Sequence, residues 1–74
     1  MATAILQVPD ISCEHCERTV KGALAPVAGV QRVDVDIPTK EVTVTYDAGQ
    51  VTVDRMKAVL QEEDYPVAGV RQDG

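Results

Sequence analysis

Apolar and polar residues alternate in three stretches of the chain, which is the pattern of β-strands with one buried face. Their apolar positions are Ala4, Leu6 and Val8, then Val33, Val35 and Ile37, then Val42, Val44 and Tyr46. Pro9 and Asp10 end the first strand, and residues 38–40 separate the other two, so we expect these two to form a hairpin. A short fourth strand is expected over residues 67–70.

Between the strands the apolar spacing changes to steps of three and four residues, which indicates amphipathic helices. The first helix is predicted to begin at Glu14, and Pro26 with Gly29 marks its end. Its apolar side contains Cys16, Val20, Ala23, Leu24 and Val27. Thr52 can cap the second helix, which ends at Asp64 and Pro66. Its apolar side contains Val53, Met56, Val59 and Leu60.

The resulting element order is βαββαβ, and a sheet with a single apolar face needs both helices on that face. We therefore expect an α+β, ferredoxin-like open-faced sandwich with an antiparallel four-stranded sheet. The 74 residues predict a single domain over residues 1–74, without room for a large catalytic cleft. Only 3% of residues are aromatic, so the core has to be built from Val, Ile, Leu and Ala.

Charge and hydropathy argue against nucleic acid and membrane as partners. The formal net charge is −5 and the seven basic residues are scattered, so nucleic acid is not an expected partner. No apolar stretch has membrane-spanning length, and the run at residues 4–6 is too short for a signal-peptide core. We expect a cytoplasmic protein without membrane insertion, in a compartment where thiols stay reduced.

The candidate chemistry lies at residues 11–16, where the first strand leads into the first helix. Cys13 and Cys16 have the C-x-x-C spacing, which can bring two sulfurs to one point, and the helix N-terminus favours the anionic form of Cys16. Two converging thiolates suit Cu(I) better than the hard cations, which prefer oxygen ligands. A disulfide here would close a very small loop and stabilise the fold little.

Other functions of the pair stay open. Structural Zn(II) normally has four Cys or His ligands, and the chain contains two Cys and one His, although Asp10 could complete an oxygen-containing zinc site. His15 is expected to project outward, toward a second molecule or solvent. Hg(II) also binds two thiolates. A thiol-disulfide oxidoreductase would use the same spacing, but the chain is short for one and has no Trp beside the cysteines.

The chain resembles the heavy-metal-associated domains, and specifically the free-standing bacterial copper chaperones. The resemblance rests on residues 12–16, on Gly29 and Val30 before the second strand, on the alternating strands, and on Asp64 and Tyr65 after the second helix. Two positions depart from the family pattern. Asp10 and Ile11 replace the usual Gly-Met, with Ile11 expected to pack inward as the Met does. Ser12 stands where zinc-type members typically carry Asp, which favours copper.

The resemblance implies a non-enzymatic metallochaperone. Cys13 and Cys16 would bind Cu(I) and deliver it to the metal-binding domain of a copper-transporting P-type ATPase by thiolate ligand exchange. Tyr65 would pack near the metal, and Ser12 and His15 are auxiliary positions. The alternatives are a Zn(II), Cd(II) or Hg(II) domain and a regulatory module of a transporter. A homodimer bridged by metal through His15 or shared cysteines is also compatible with the motif.

Acidic residues flank both candidate segments. They are Asp10, Glu14 and Glu17 near the cysteines, and Glu62, Glu63 and Asp64 before Tyr65. If the two segments meet at one end of the molecule, that end is acidic and can steer docking to a basic surface of the partner.

Overall fold

The computed structural model describes residues 2–73 and has the predicted βαββαβ order. The elements are β1 (Ala2–Gln7), α1 (Glu14–Leu24), β2 (Val30–Asp36), β3 (Glu41–Tyr46), α2 (Val53–Glu62) and β4 (Gly69–Asp73). The strands form one antiparallel sheet in the order β2-β3-β1-β4. The expected ferredoxin-like sandwich is therefore confirmed, with β1 and β3 at the centre of the sheet.

The core lies between the sheet and the two helices. In β1 and β3 the even-numbered residues point inward, and the fully buried side chains among them are Ala4, Leu6, Val42 and Val44. The helices contribute Val20, Leu24, Met56 and Leu60 to the same cluster. Tyr46 is 4% exposed, as predicted for a core residue. The other face of the sheet is polar, and one ion pair there joins Arg71 of β4 to Glu41 of β3 at 3.2 Å.

An irregularity in β2 extends the apolar face of this edge strand. Val30 pairs with Tyr46, but the next pairing joins Arg32 to Thr45, so Gln31 is an extra residue. Val30 and Val33 can therefore both face inward although they are three residues apart. The strand starts from Gly29, whose φ of +94° and whose 2.8 Å distance from an added Cβ to the Gln50 side chain leave space only for glycine.

The prediction for the fourth strand was wrong in its position. We expected residues 67–70, whereas β4 spans Gly69–Asp73. Gly69 pairs with Gln7, and the ladder then continues through the polar residues 71–73. Backbone pairing with β1 is indifferent to side-chain polarity at a sheet edge, so an apolar run does not mark the limits of such a strand.

The helix boundaries follow local signals. α1 begins at Glu14 as predicted and ends at Leu24, just before Pro26. The predicted cap of α2 is confirmed, because the Thr52 side chain accepts a hydrogen bond from the backbone N–H of Arg55 at 3.2 Å. Within residues 2–73 neither helix has the length and hydropathy needed to cross a bilayer.

Candidate metal centre

The two cysteines occupy the first turn of α1. Cys13 is the N-cap residue, with extended backbone angles and a carbonyl that accepts the first helical hydrogen bond, from Glu17 N–H at 3.2 Å. Cys16 lies three residues later, inside the helix, and its Sγ is 3.9 Å from the Sγ of Cys13. The strand-to-helix junction therefore brings both sulfurs to one point, as the spacing predicts.

The surroundings of the two sulfurs differ. Cys16 is only 8% exposed and belongs to the core cluster, whereas Cys13 is exposed, and both thiols are free. The Sγ of Cys16 lies 3.9 Å from the carbonyl oxygen of Asp10 and 4.0 Å from Oγ of Ser12. One sulfur is thus held by its neighbours, and the other is accessible from outside.

The groups around Cys16 lower the pKa of its thiol. A hydrogen bond from the Tyr65 hydroxyl, then a backbone hydrogen bond from Ser12, lower the pKa of the Cys16 thiol from 9.0 to about 6, and hydrogen bonds from Cys13 add to this. Burial acts in the opposite direction but is outweighed. The same contact with Cys16 raises the pKa of the Tyr65 hydroxyl. The lowered pKa favours the thiolate form of Cys16 near neutral pH, and the thiolate is the form that binds metal.

Tyr65 reaches Cys16 because of the way α2 ends. Asp64 N–H donates to the Gln61 carbonyl at 3.1 Å, and Tyr65 N–H donates to the Leu60 carbonyl at 2.9 Å. These two bonds and the left-handed φ of +65° at Asp64 make a Schellman motif. The motif reverses the chain, and it places Tyr65 against the start of α1 although the two lie far apart in sequence.

The segment before Cys13 is fixed to the hairpin between β2 and β3. Val8 N–H donates to the Lys40 carbonyl at 2.9 Å, and Lys40 Nζ donates to the Ile11 carbonyl at 2.7 Å. The side chain of Ile11 is fully buried, as expected for the residue in place of the family Met. Sequence reasoning did not identify Lys40, because nothing in the pattern of a hairpin turn indicates that its side chain reaches residue 11.

The remaining candidate residues lie around the pair. His15 is exposed on α1, and its carbonyl oxygen accepts a hydrogen bond from Thr19 Oγ1 at 3.0 Å. Ser12 is exposed as a residue but has its hydroxyl near Cys16. Asp10 contacts Cys16 through its backbone carbonyl. Among residues 2–73 no group of three or more His, Cys, Asp or Glu side chains is arranged to hold a metal ion.

The sulfur separation is compatible with metal binding and with oxidation. A tetrahedral ion with metal–sulfur distances of about 2.3 Å would hold two sulfurs about 3.8 Å apart. The observed 3.9 Å needs little adjustment for such an ion and a modest opening for a more linear arrangement. A disulfide would require the sulfurs to approach to about 2.05 Å. As metal ligands, two sulfurs at this separation suit soft, thiolate-binding ions as a class.

Comparison with known proteins gives consistent matches over most of the chain. A family model described as the heavy-metal-associated domain matches residues 5–66. The copper chaperone CopZ of Staphylococcus haemolyticus is 36% identical over 67 residues, which cover 90% of this chain and 98% of that protein. The crystal structure of oxidized MerP from Ralstonia metallidurans CH34 has a TM-score of 0.88 at 34% identity and covers 97% of this chain and 100% of MerP. The yeast copper transporter domain CCC2A has a TM-score of 0.89 at 29% identity, covering 99% and 100% of the two chains.

Proposed function

The chain belongs to the heavy-metal-associated domain family, and from this premise we propose that it is a Cu(I) metallochaperone. It binds the ion between Cys13 and Cys16 and passes it to a partner protein without catalysing a chemical reaction. The similarity to the copper chaperone CopZ over 90% of the chain supports this proposal.

The single observation that carries the proposal is the pair of unequal sulfurs 3.9 Å apart. Cys16 is buried and has a pKa of about 6, so it offers a thiolate that stays in place. Cys13 is exposed, so an incoming thiolate can approach the bound ion from the same side. Such a site can retain a soft ion and still give it to a rival pair of thiolates.

Transfer then proceeds by exchange of ligands. A thiolate of the partner adds to the bound Cu(I), the bond from Cu(I) to Cys13 breaks, and a second partner thiolate replaces Cys16. The oxidation state of copper does not change, and each sulfur that leaves the ion can take up a proton. The exposed Cys13 leaves first because the partner can reach its side of the ion, whereas Cys16 is enclosed.

Copper is favoured over zinc by the ligands available on this chain. Two thiolates satisfy Cu(I), which accepts low coordination numbers, whereas structural zinc sites normally have four ligands. Ser12 contributes a hydroxyl near Cys16 in place of the carboxylate that a zinc ion would prefer. A bound Zn(II) would therefore need ligands from solvent or from a second molecule.

The partner we propose is the metal-binding domain of a copper-transporting P-type ATPase. The copper transporter domain CCC2A has the same fold as this chain, so two similar surfaces can present their sites to each other. The reducing cytoplasm is the matching location, because both the thiols and the cuprous ion persist there.

A Hg(II)-binding function is the second candidate, and it is favoured by the same two sulfurs 3.9 Å apart. Hg(II) also accepts two thiolates, so the same pair would serve it. The two candidates differ in which ion the protein retains in competition.

The test is a competition titration of the reduced protein against a coloured Cu(I) chelator, repeated with Zn(II) and Hg(II). We expect the parent to take Cu(I) from the chelator, Cys13→Ser and Cys16→Ser to bind it much more weakly, and the double variant to bind none. Lys57→Met, at an exposed position of α2 outside the motif, is the control and should bind as the parent does. Retention of Cu(I) by the double serine variant would refute the proposal, and selective retention of Hg(II) by the parent would favour the second candidate.

A further inference from the structure

Lys40 contacts both ends of the segment of residues 8–11, which precedes the cysteines. Its carbonyl oxygen accepts from Val8 N–H at 2.9 Å, and its Nζ donates to the carbonyl oxygen of Ile11 at 2.7 Å. Within the segment, Ile11 N–H donates to the Val8 carbonyl at 3.1 Å. One residue of the hairpin therefore holds a tight turn of the distant loop at both of its ends.

The backbone of Lys40 indicates that this contact has a function beyond closing the hairpin. Its φ is +59°, a conformation that glycine adopts without cost and that a residue with a Cβ disfavours. The side chain is half-buried and its ammonium group makes a charge-assisted hydrogen bond, which is among the stronger kinds. A glycine would suit the turn better, but it could not reach Ile11.

The clamped segment is the part of the loop that contacts the metal site. Asp10, whose carbonyl lies 3.9 Å from the Sγ of Cys16, is within it. Ile11 is its last residue and is held by both its buried side chain and its carbonyl. Ser12 and Cys13 follow immediately and are exposed, so the fixed part of the loop ends two residues before the exposed sulfur.

We propose that Lys40 is a positioning residue that clamps residues 8–11 and thereby limits how readily the cysteine pair opens to release copper. The inference rests on the proposed function, because release is meaningful only if the pair binds the ion. With the hydrogen bonds of Lys40 intact, the segment of residues 8–11 stays in place and only the residues after it can move. Without them, the backbone carbonyls at residues 10 and 11 can rotate and the two sulfurs separate more often.

Four variants separate the clamp from the turn and from the charge. Lys40→Gly removes the ammonium group but relieves the backbone, whereas Lys40→Met removes the ammonium group and keeps the disfavoured φ. Lys40→Arg restores a cationic donor of similar length. Lys57→Met is the matched control, because Lys57 is an exposed lysine of α2 and its loss changes the net charge equally.

Two measurements are made on each reduced protein. The first is the rate at which the Cu(I)-loaded form loses copper to a chelator in excess. The second is the backbone amide dynamics of residues 10–13 in the metal-free form, measured by NMR relaxation and hydrogen exchange. We expect Lys40→Gly and Lys40→Met to release copper about five- to tenfold faster, the effect of losing one charge-assisted hydrogen bond. The backbone amides of residues 10–13 should also become more mobile in these two variants.

Lys40→Arg and Lys57→Met should behave as the parent in both measurements. If Lys40 served only to close the hairpin turn, Lys40→Gly would be as stable as the parent and would release copper at the parental rate. Unchanged mobility of the amides of residues 10–13 in Lys40→Gly overturns the clamp whether or not the protein binds copper. A parent that binds no Cu(I) refutes the proposed function instead, and the amide dynamics still decide whether Lys40 clamps the loop.

Discussion

At the scale of single residues, the two cysteines are unequal because of their surroundings. Cys16 is the third residue of α1, has its pKa lowered by Tyr65 and Ser12, and is almost completely enclosed. Cys13 caps the helix and faces outward. The same spacing in an extended chain would leave both thiols exposed and alike, so the inequality comes from the fold.

The lowered pKa of Cys16 predicts how the stability of the reduced, metal-free protein depends on pH. The pKa is about 6 in the folded protein and 9.0 without these contacts, so between these values the unfolded chain binds more protons. The free energy of unfolding should therefore rise as pH increases from about 6 to about 9, and this stabilisation is lost as pH falls through about 6. Denaturant unfolding across this range measures it. The raised pKa of Tyr65 acts only near and above its ordinary value of 10.0.

Tyr65→Phe tests the cause of that pH dependence. Without the hydroxyl, the pKa of Cys16 should move from about 6 toward 9.0, and the rise in stability should be smaller and begin at higher pH. Tyr46→Phe is the control, because the Tyr46 hydroxyl contacts Gln72 at 3.4 Å and not the cysteines. The ultraviolet absorbance of the thiolate follows the titration directly. Identical titrations in Tyr65→Phe and the parent would contradict the assignment.

At the scale of secondary-structure elements, the ends of the helices are more important to the site than their middles. The N-terminus of α1 lies at the cysteines, where its unpaired backbone amides favour an anion. The C-terminus of α2 forms the Schellman motif, which places Tyr65 near Cys16. The exposed position of Asp64 at φ +65° is therefore linked to the chemistry of Cys16, although Asp64 is not a candidate ligand.

Substitutions at Asp64 test whether the left-handed backbone of the Schellman motif, rather than the Asp64 side chain, positions Tyr65. Asp64→Gly should keep the turn and raise the free energy of unfolding by up to about 1 kcal/mol, because glycine adopts the left-handed conformation without strain. Asp64→Val should lower it by about 1–2 kcal/mol, because a β-branched residue is disfavoured there, and should also raise the pKa of Cys16 by displacing Tyr65. Denaturation and thiol titration measure both. A valine variant with the parental thiol pKa would show that the motif does not position Tyr65.

At the scale of the whole molecule, the candidate site lies at one end of the sandwich with several acidic side chains. The contact between Tyr65 and Cys16 brings the end of α2 to the start of α1. Glu14, Glu62, Glu63 and Asp64 are exposed around these ends, whereas Glu17 pairs with Lys21 of the same helix at 3.5 Å. With a net charge of −5, the protein is expected to meet its partner with this end toward a basic surface.

Copper transfer to such a partner should depend on salt. We expect the second-order transfer rate to fall by about tenfold from low to high ionic strength. Glu63→Gln, at the end of α2 near the site, should weaken this dependence more than Asp54→Asn at the opposite end of the same helix. Stopped-flow transfer to the metal-binding domain of the partner measures it. A rate that does not respond to ionic strength would exclude electrostatic steering.

The parts of the protein that could be predicted from sequence are those governed by neighbours along the chain. The alternation of Leu6 and Val8, the helical spacing of Val20 and Leu24, and the cap at Thr52 are local patterns, and each predicts its element directly. The C-x-x-C spacing likewise brings two sulfurs together within one helical turn. The single apolar face of the sheet predicted that both helices lie on one side, whereas the strand order β2-β3-β1-β4 emerges only in the folded structure.

The features that the sequence did not predict depend on contacts between distant segments, because the energies of these contacts depend on a geometry that exists only in the folded chain. The position of β4 follows from pairing with β1, and the extra residue Gln31 from pairing with β3. Tyr65 meets Cys16 only after α2 reverses, and Lys40 meets Ile11 across 29 residues. A local pattern carries no information about such partners. The chain alone therefore indicates where a soft metal can bind, while packing lowers the pKa of Cys16 and determines how firmly the loop before the cysteines is held.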